Sequence, residues 1–345
     1  MRRILSRERA SGRALLALAL LCVAVGVTLL LPPITNLMLV SAIVMAISIM
    51  GLSVLTGWSG QISLGHGGFM AVGAFSAAIA SRDFDHLPIV IVLLIATVSG
   101  ALTGLIVGLP ATRLRGPYLA GMTLAFAFAV PPLIQAGGEV TGGSGGLALN
   151  RPEAPTWFMS LLGTDDPTSA GAHWLAVLCL VVLALVMWLM SSVFSSRFGR
   201  SMRLVRENDV AAELVGLSLP KIRVQAFVIS SAIAGLAGGM FALTKGGIAA
   251  QDFTPVVSFT LLALMVLGGM GTLLGAILGG LLSAYSDDMI TWLTSRLGID
   301  PWSSFGANLK TMLFAALLII TMLTAPKGLA GLVSAARSRL MRRRP

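Results

Sequence analysis

Charge is scarce in this chain. Only 11% of the residues are Asp, Glu, Lys or Arg, 56% are hydrophobic, and the mean hydropathy is +0.91. Two soluble domains, the default for 345 residues, do not have that composition, whereas one membrane-embedded bundle does. Histidine and cysteine are scarcer still. His66, His86 and His173 share no metal-ligand spacing, and Cys22 and Cys179 lie inside apolar runs as packing or lipid-facing residues. None of the lysines (Lys221, Lys245, Lys310, Lys327) follows a glycine, so there is no Walker A sequence. No ATP, metal or cofactor site is therefore expected. Nor need any ionisable residue lie deep in an apolar run, where ion-coupled carriers often keep one. That weighs against a stand-alone secondary carrier or channel. A membrane enzyme would cluster His, Asp or Glu at one face; only Asp287-Asp288 comes near, without a histidine, and it reads as a solvated loop.

Positive charge is what the chain has in excess, with a net +10. The basic residues border apolar runs in several loops instead of forming one patch, which argues for membrane topology and against nucleic acid. An apolar run over 14–31 follows Arg2, Arg3, Arg7, Arg9 and Arg13. It ends in Leu-Pro-Pro, unlike a signal-peptide cleavage site, and is expected to be the first span. Further spans are expected at 37–55, 62–80, 88–109, 117–136, 173–194, 224–244, 256–269, 271–286 and 308–325. Most are long enough to cross about 30 Å of hydrocarbon as helix. The pair 256–269 and 271–286 is short, and two short helices or one broken span both fit. Ten spans put both termini in the cytoplasm and place 19 of the 24 Lys and Arg in the inside segments 1–13, 110–116, 195–223 and 326–345. The expected fold is thus an all-α polytopic bundle of about ten helices, some short or discontinuous. Basic tails 1–13 and 326–345 flank a single membrane domain over 14–325. That domain has an outer loop at 137–172, with a short interfacial helix around 156–162.

Three stretches break the apolar pattern. Gly57, Gly60, Gln61, Ser63, Gly65, His66, Gly67 and Gly68 form a glycine-rich polar segment that suits a lipid-facing helix poorly. It reads either as a broken helix beside a translocation path, or as a turn leading into a closely packed helix. Alone, His66 reads as structural or pore-lining. Thr141-Gly-Gly-Ser144-Gly-Gly146 lacks the strand, helix and lysine of a phosphate loop and reads as an outer loop or gate. Residues 197–223 carry six of the basic residues and three acidic ones between two apolar runs. Val210, Leu214 and Leu217 recur at i, i+4 and i+7, so an amphipathic helix is expected over 207–217. Glu207 and Asp209 suit its start, Ala211 and Ala212 its interior, and Gly216 and Pro220 its end. Two further stretches have bland readings. Arg113-Leu-Arg115-Gly-Pro117-Tyr118 is a cytoplasmic turn entering a span. The glycines of 268–280 are packing positions whose spacing loosely echoes Gly57, Gly60 and Gly65 without making a repeat.

Five motifs, in this order, resemble the permease subunits of branched-chain amino-acid ABC importers, of the LivM type. They are LTGWSGQISLGHGGFMAVGAF (55–75), RLRGPYLAGMTLAFA (113–127), TGGSGGL (141–147), GRSMRLVRENDVAAELVGLSLPKIRVQAFVISSAIAGLAGGMFA (199–242) and LGGMGTLLGAILGG (267–280). The resemblance implies a non-catalytic subunit in the bacterial inner membrane. Its implied partners are a second, LivH-type permease, two ABC ATPases and a periplasmic solute-binding protein; the solute is Leu, Ile, Val or a relative. It also implies that Arg206, Glu207, Asn208, Asp209, Ala211, Ala212 and Gly216 form the ATPase-coupling region. Val210 stands before the alanine pair where the general importer signature has Glu-Ala-Ala. Related urea-type permeases share the glycine-rich motif, so a urea- or amide-type permease is the alternative. Gly57, Gly60, Gln61, Ser63, His66, Thr141 and Ser144 are the candidate residues of a path or gate.

Overall fold

The computed structural model describes residues 21–84, 87–114, 116–149, 151–163 and 166–296, with isolated positions between 312 and 331. The expected tail 1–13, and all but isolated positions of the expected span 308–325 and tail 326–345, lie outside the described residues. So do His86 and Arg115.

Helix α1 (Leu21–Leu30) leads into α2 (Pro33–Leu52), then α3 (His66–Asp83), α4 (Ile89–Ala111) and α5 (Pro117–Ala136). Short helices α6 (Gly138–Thr141) and α7 (Thr156–Leu162) lie in the 137–172 loop, the second where an interfacial helix is expected. Next come α8 (Pro167–Ser195), α9 (Arg197–Glu207), α10 (Asp209–Leu214), α11 (Leu219–Lys245), α12 (Pro255–Gly268) and α13 (Leu273–Arg296). Prolines at the first helical positions of α2, α5, α8, α11 and α12 give up amides that would be unpaired anyway. Pro220 thus opens α11; it does not close the helix before it.

Among the described residues, five helices are long and apolar enough to cross a membrane: α2 with its extension to Trp58, α4, α5, α8 and α11. The apolar windows of α2 and α11 are 72% buried, against 28% for α4, α5 and α8. The first pair is therefore the interior of the bundle, and the other three present a broad apolar face outward, as a multi-pass membrane protein requires. Helix α11 packs chiefly on α4, α3 and α2, while α8 and α13 cover α2. The 256–286 region is two separate helices joined by a tight turn, Gly269–Thr272. Helix α13 continues to Arg296, so the backbone of Asp287 and Asp288 is helical where a loop is expected. No glycine or proline stands in 281–290 to stop the helix, and helical geometry runs on past the two aspartates.

Glycine sets how closely these helices approach. A Cβ on Gly73 of α3 would lie 2.2 Å from the Gly235 carbonyl oxygen of α11, and one on Gly235 would lie 2.3 Å from that of Ala96 in α4. Between helices in an apolar solvent, such backbone contact supplies the van der Waals attraction that hydrophobic collapse cannot. Gly73→Val should therefore cost at least about 1–3 kcal/mol through overpacking. Gly121→Ala in α5, where an added Cβ meets nothing within 4 Å, should leave stability unchanged or raise it. Thermal unfolding of the purified protein in detergent checks both.

Candidate functional site: a broken helix clamped to an exposed elbow

Helix α2 widens over its last turn into a π-helix, Ser53–Trp58, and the chain then leaves helical geometry until His66. Gly60 carries the change of direction at φ 71°, where a side chain would be strained. Inside a bundle each freed backbone group needs a partner. The amides of Ser59 and Gln61 donate to Val54 O (3.1 Å) and Leu55 O (3.0 Å), and the Thr56 hydroxyl donates to Gln61 O (3.1 Å). The Leu64 amide donates to Thr123 Oγ1 of α5 (3.0 Å), and the Gly67 amide to Ser258 Oγ of α12 (2.9 Å). Gly65 sits so close to α5 that a Cβ would lie 2.6 Å from Thr123 O. The segment is therefore a helix break held by two neighbouring helices, and both expected readings are partly right: it is broken, and it is tightly packed.

His66 begins α3, fully buried, with Nε2 2.9 Å from Ser48 O of α2. That contact assigns the proton to Nε2 and ties α3 to α2. Ser63 is also buried, with its hydroxyl 3.4 Å from the Gly65 amide. Gln61 donates through Nε2 to Ser59 Oγ at 2.5 Å. Among the described residues, four buried side-chain atoms lack a hydrogen-bond partner: Asn36 Oδ1 in the first turn of α2, and Ser53 Oγ, Gln61 Oε1 and His66 Nδ1 at the break.

The elbow that meets this break is built by capping. Ser196 Oγ accepts from the Gly199 amide (3.2 Å) and starts α9; Asn208, extended at φ −158°, accepts from the Ala211 amide (3.0 Å) and starts α10. The region is thus two helices with a corner at Asn208, where one amphipathic helix over 207–217 is expected. Asparagine competes for its own backbone amides and favours the cap over the helix interior. Glu207 consequently ends α9, and only Asp209 stands at a helix start. Gly216, at φ 81°, closes α10: its amide donates to Glu213 O (2.9 Å) and the Leu217 amide to Ala212 O (3.0 Å). Ala212 faces inward, fully buried. Val210, Leu214 and Val215 face outward, at 65%, 83% and 67% exposure, whereas Leu217 is half-buried. The outward apolar set is therefore Val210, Leu214 and Val215. Glu207, Asn208, Glu213 and Gly216 are exposed around it.

Break and elbow meet directly. The Arg206 guanidinium donates to Gly57 O, and the Arg206 side chain covers Gly60, where a Cβ would lie 2.9 Å from its Cγ. The Trp58 ring stacks on Phe194 at the end of α8 (centroids 3.8 Å apart, planes within 2°), and the Arg203 guanidinium carbon lies 4.6 Å from its centroid. The indole N–H donates to Gly271 O in the α12–α13 turn at 2.8 Å. Asp209 pairs with Arg223 of α11 at 2.6 Å. A cleft of about 370 Å³ remains between them, lined by Gly60, Gln61, Leu114, Arg206, Asp209 and Arg223, among others.

The structure thus joins Gly57, Gly60 and Gln61 to Arg206 and Asp209. It does not join them to Thr141 and Ser144. The 141–146 loop precedes the two-residue strand β1 (Leu147–Ala148), which pairs antiparallel with β2 (Gly247–Ile248) just beyond the far end of α11. A helix of 27 residues is about 40 Å long, so the two sets lie at opposite ends of the bundle. There the Thr141 hydroxyl donates to Ile134 O (2.5 Å) and Ser144 is exposed. Sequence reasoning overlooked Trp58, Arg203, Phe194 and Thr123. A tryptophan among glycines, whose N–H needs a partner when buried, is the one available signal. The echo between the glycines of 57–65 and those of 268–280 corresponds to contact: a Cβ on Gly57 would lie 2.8 Å from Gly271 N and Cα.

Thr123→Val keeps the shape of the side chain but leaves the Leu64 amide without its acceptor. It should lower stability by about 1–3 kcal/mol, read as a drop in melting temperature, with faster hydrogen exchange confined to residues 59–67.

A family model described as "Branched-chain amino acid transport system / permease component" matches residues 34–322. Among curated relatives, the Escherichia coli (strain K12) "High-affinity branched-chain amino acid transport system permease protein LivM" is 30% identical over 296 residues. That alignment covers 81% of this chain, which spans 66% of the relative's length. The "Probable branched-chain amino acid transport permease protein LivM" of Methanocaldococcus jannaschii is 28% identical over 269 residues, 75% of this chain and 73% of its own. The "Probable branched-chain amino acid transport permease protein LivH" of the same organism is 27% identical over 154 residues, 44% of this chain and 46% of its own. The family match runs through the break, the elbow and the α12–α13 turn, and the chain belongs to the permease-component family of branched-chain amino acid transport systems.

Proposed function

We propose that this chain is the membrane-spanning, non-catalytic subunit of an ATP-binding-cassette importer in the bacterial inner membrane. It translocates branched-chain amino acids or a related small polar solute. Two separate ATPase subunits bind the cytoplasmic face of a pair formed by this chain and a LivH-type permease, with the α9–α10 elbow as this chain's contact, and a periplasmic binding protein delivers the solute to the opposite end. The reading supposes ten spans with both termini cytoplasmic. One observation carries it: the elbow presents Val210, Leu214 and Val215 to the outside while Arg206 and Asp209 bind its other side to the broken helix and to α11. Three large apolar side chains on a charged surface are a docking patch. The names of the relatives support the transport class and the solute.

In this reading the elbow is a lever. Closure of the ATPase dimer pulls on Val210 and Leu214, and the ion pair and the Arg206 bond carry the pull to residues 57–61. The break can answer because its backbone is held by a few side-chain hydrogen bonds and not by a continuous helical ladder. Rearrangement would turn its carbonyls, with Gln61 and His66, toward a path between the permeases, where backbone dipoles meet a zwitterion. The two states differ in these contacts, and that difference is the coupling free energy. Thr141 and Ser144 belong to the outer end of the path.

Val210→Asp with Leu214→Asp alters only exposed side chains, so folding should change by no more than about 0.5 kcal/mol per site. Recovery of the ATPases with the tagged chain should fall roughly 30-fold, the loss of about 2 kcal/mol at an interface hot spot, and ATP-driven uptake should fall with it. Full recovery and uptake in the double variant would overturn the docking assignment. Topology has its own check, in a chain with Cys22 and Cys179 replaced. A cysteine at Ser144 should react with a membrane-impermeant maleimide in intact spheroplasts, and one at Val215 only after lysis. The reverse pattern would turn the whole assignment inside out.

A further inference from the structure

We infer that Trp58 is the positioning residue through which movement of the α9–α10 elbow reaches the α12–α13 turn, and through α12 the second border of the broken segment. This rests on the reading of the elbow as the ATPase contact. Trp58 touches both moving parts at once. Its ring lies parallel to Phe194, the last aromatic of α8, and Arg203 of α9 sits over it, so the corner where α8 becomes α9 grips the indole between an aromatic plane and a guanidinium. Its N–H is committed to Gly271 O at 2.8 Å. The adjoining backbone is in contact as well, because a Cβ on Gly57 would meet Gly271 at 2.8 Å. With the ring gripped on one side and the backbone seated on the other, rotation of α9 cannot leave the turn behind.

The elements on both sides of Trp58 are the kind that can move. The residue ends a π-helix, whose extra residue can pass along the helix or relax to α-helical geometry without breaking the chain. The turn it holds takes Gly269 at φ 124° and Gly271 at φ 71°, backbone conformations that glycine reaches without strain. Beyond the turn lies α12, whose Ser258 accepts from the Gly67 amide at the start of α3. A displacement at Arg203 therefore has a contiguous route through Trp58, Gly271 and α12 to the second border of the broken segment. Arg206 reaches the first border directly at Gly57. Elbow movement thus acts on the break from two sides, and Trp58 supplies the longer of the two arms. The two-state element is the π turn, which both sites bias.

The experiment uses the complete complex with its ATPases in lipid vesicles and needs no knowledge of the solute. Cys22 and Cys179 are replaced and a spin label is placed at Met270→Cys, an exposed position of the turn. Spectra are taken without nucleotide and with vanadate-trapped ATP. Trapping should change the label's spectrum in the parent complex. Trp58→Phe keeps an aromatic ring between Phe194 and Arg203 but deletes the N–H, and should reduce the trapped-state population seen at Met270 about tenfold, as the loss of one partly buried hydrogen bond implies. ATPase recovery and basal ATP hydrolysis should stay within about twofold of the parent, a separation that general unfolding would not produce. Should Trp58→Phe fail to assemble, Arg203→Gln decides instead: its side chain is exposed, and it should reduce the same population about threefold. A parent complex whose Met270 signal ignores trapping, or variants that respond like the parent, would overturn the inference alone. A chain that binds no ATPase at all would overturn the proposed function beneath it.

Discussion

Seven residues between Ser59 and Gly65 leave helical geometry inside the bundle, and their amides and carbonyls must find partners away from water. Those partners come from Thr123 of α5, from the π turn of α2 and, one step on at Gly67, from Ser258 of α12. Three helices are therefore set in position by a segment that is not itself a helix. The arrangement also explains why α5 and α12 approach α3 so closely: a hydrogen bond to a side chain as short as serine or threonine leaves no room for a larger spacer. Three of the four buried polar atoms that stay unpartnered among the described residues, at Ser53, Gln61 and His66, gather in the same place; the fourth is Asn36 Oδ1. An unsatisfied group costs about 1–3 kcal/mol, so this is where the bundle has most to gain from changing its arrangement.

Glycine does two different jobs in the chain. Along α3, α4 and α11 it is absence of volume: Gly73, Gly100 and Gly235 let three helix backbones touch, which anchors the interior of the bundle. At Gly60, Gly216, Gly269 and Gly271 it is backbone conformation, a positive φ at each corner around the clamp. The rigid contacts thus lie in the middle of the bundle. The corners lie at one end, where α9 and α10 project.

Much of this was legible beforehand, because hydropathy and helix punctuation act locally. Prolines at first turns and glycines past last turns mark helix ends wherever they occur, which is why the boundaries of α5 and α7 match expectation. The glycine-rich stretch advertised a break, since no lipid-facing helix tolerates so many glycines and polar groups together. What escaped notice depends on distance. Nothing local to Trp58 says that its N–H bonds Gly271, 213 positions away, or that Phe194 and Arg203 enclose its ring. The corner at Asn208 was obscured by the i, i+4, i+7 spacing of Val210, Leu214 and Leu217, which is compatible with one helix. A side-chain cap at Asn208 outweighed that spacing, and it moved Leu217 out of the exposed set.

By itself the amino-acid sequence determined that the chain lives in a membrane, that it is helical, that it lacks a nucleotide site of the Walker type, and the bounds of a few helices such as α4, α5 and α12. Each of those follows from composition or from residues within one or two helical turns of each other. Tertiary structure alone decided which residues of the polar stretches belong together. Residues 57–61 adjoin Arg206, Asp209 and Gly271, while Thr141 and Ser144 lie a helix-length away. It also decided that Ala212 points inward and Val210 outward, because a short helix shows its faces only once its neighbours are in place. Packing between helices has no local sequence code, since a glycine that contacts a carbonyl across the bundle looks the same as one that contacts nothing.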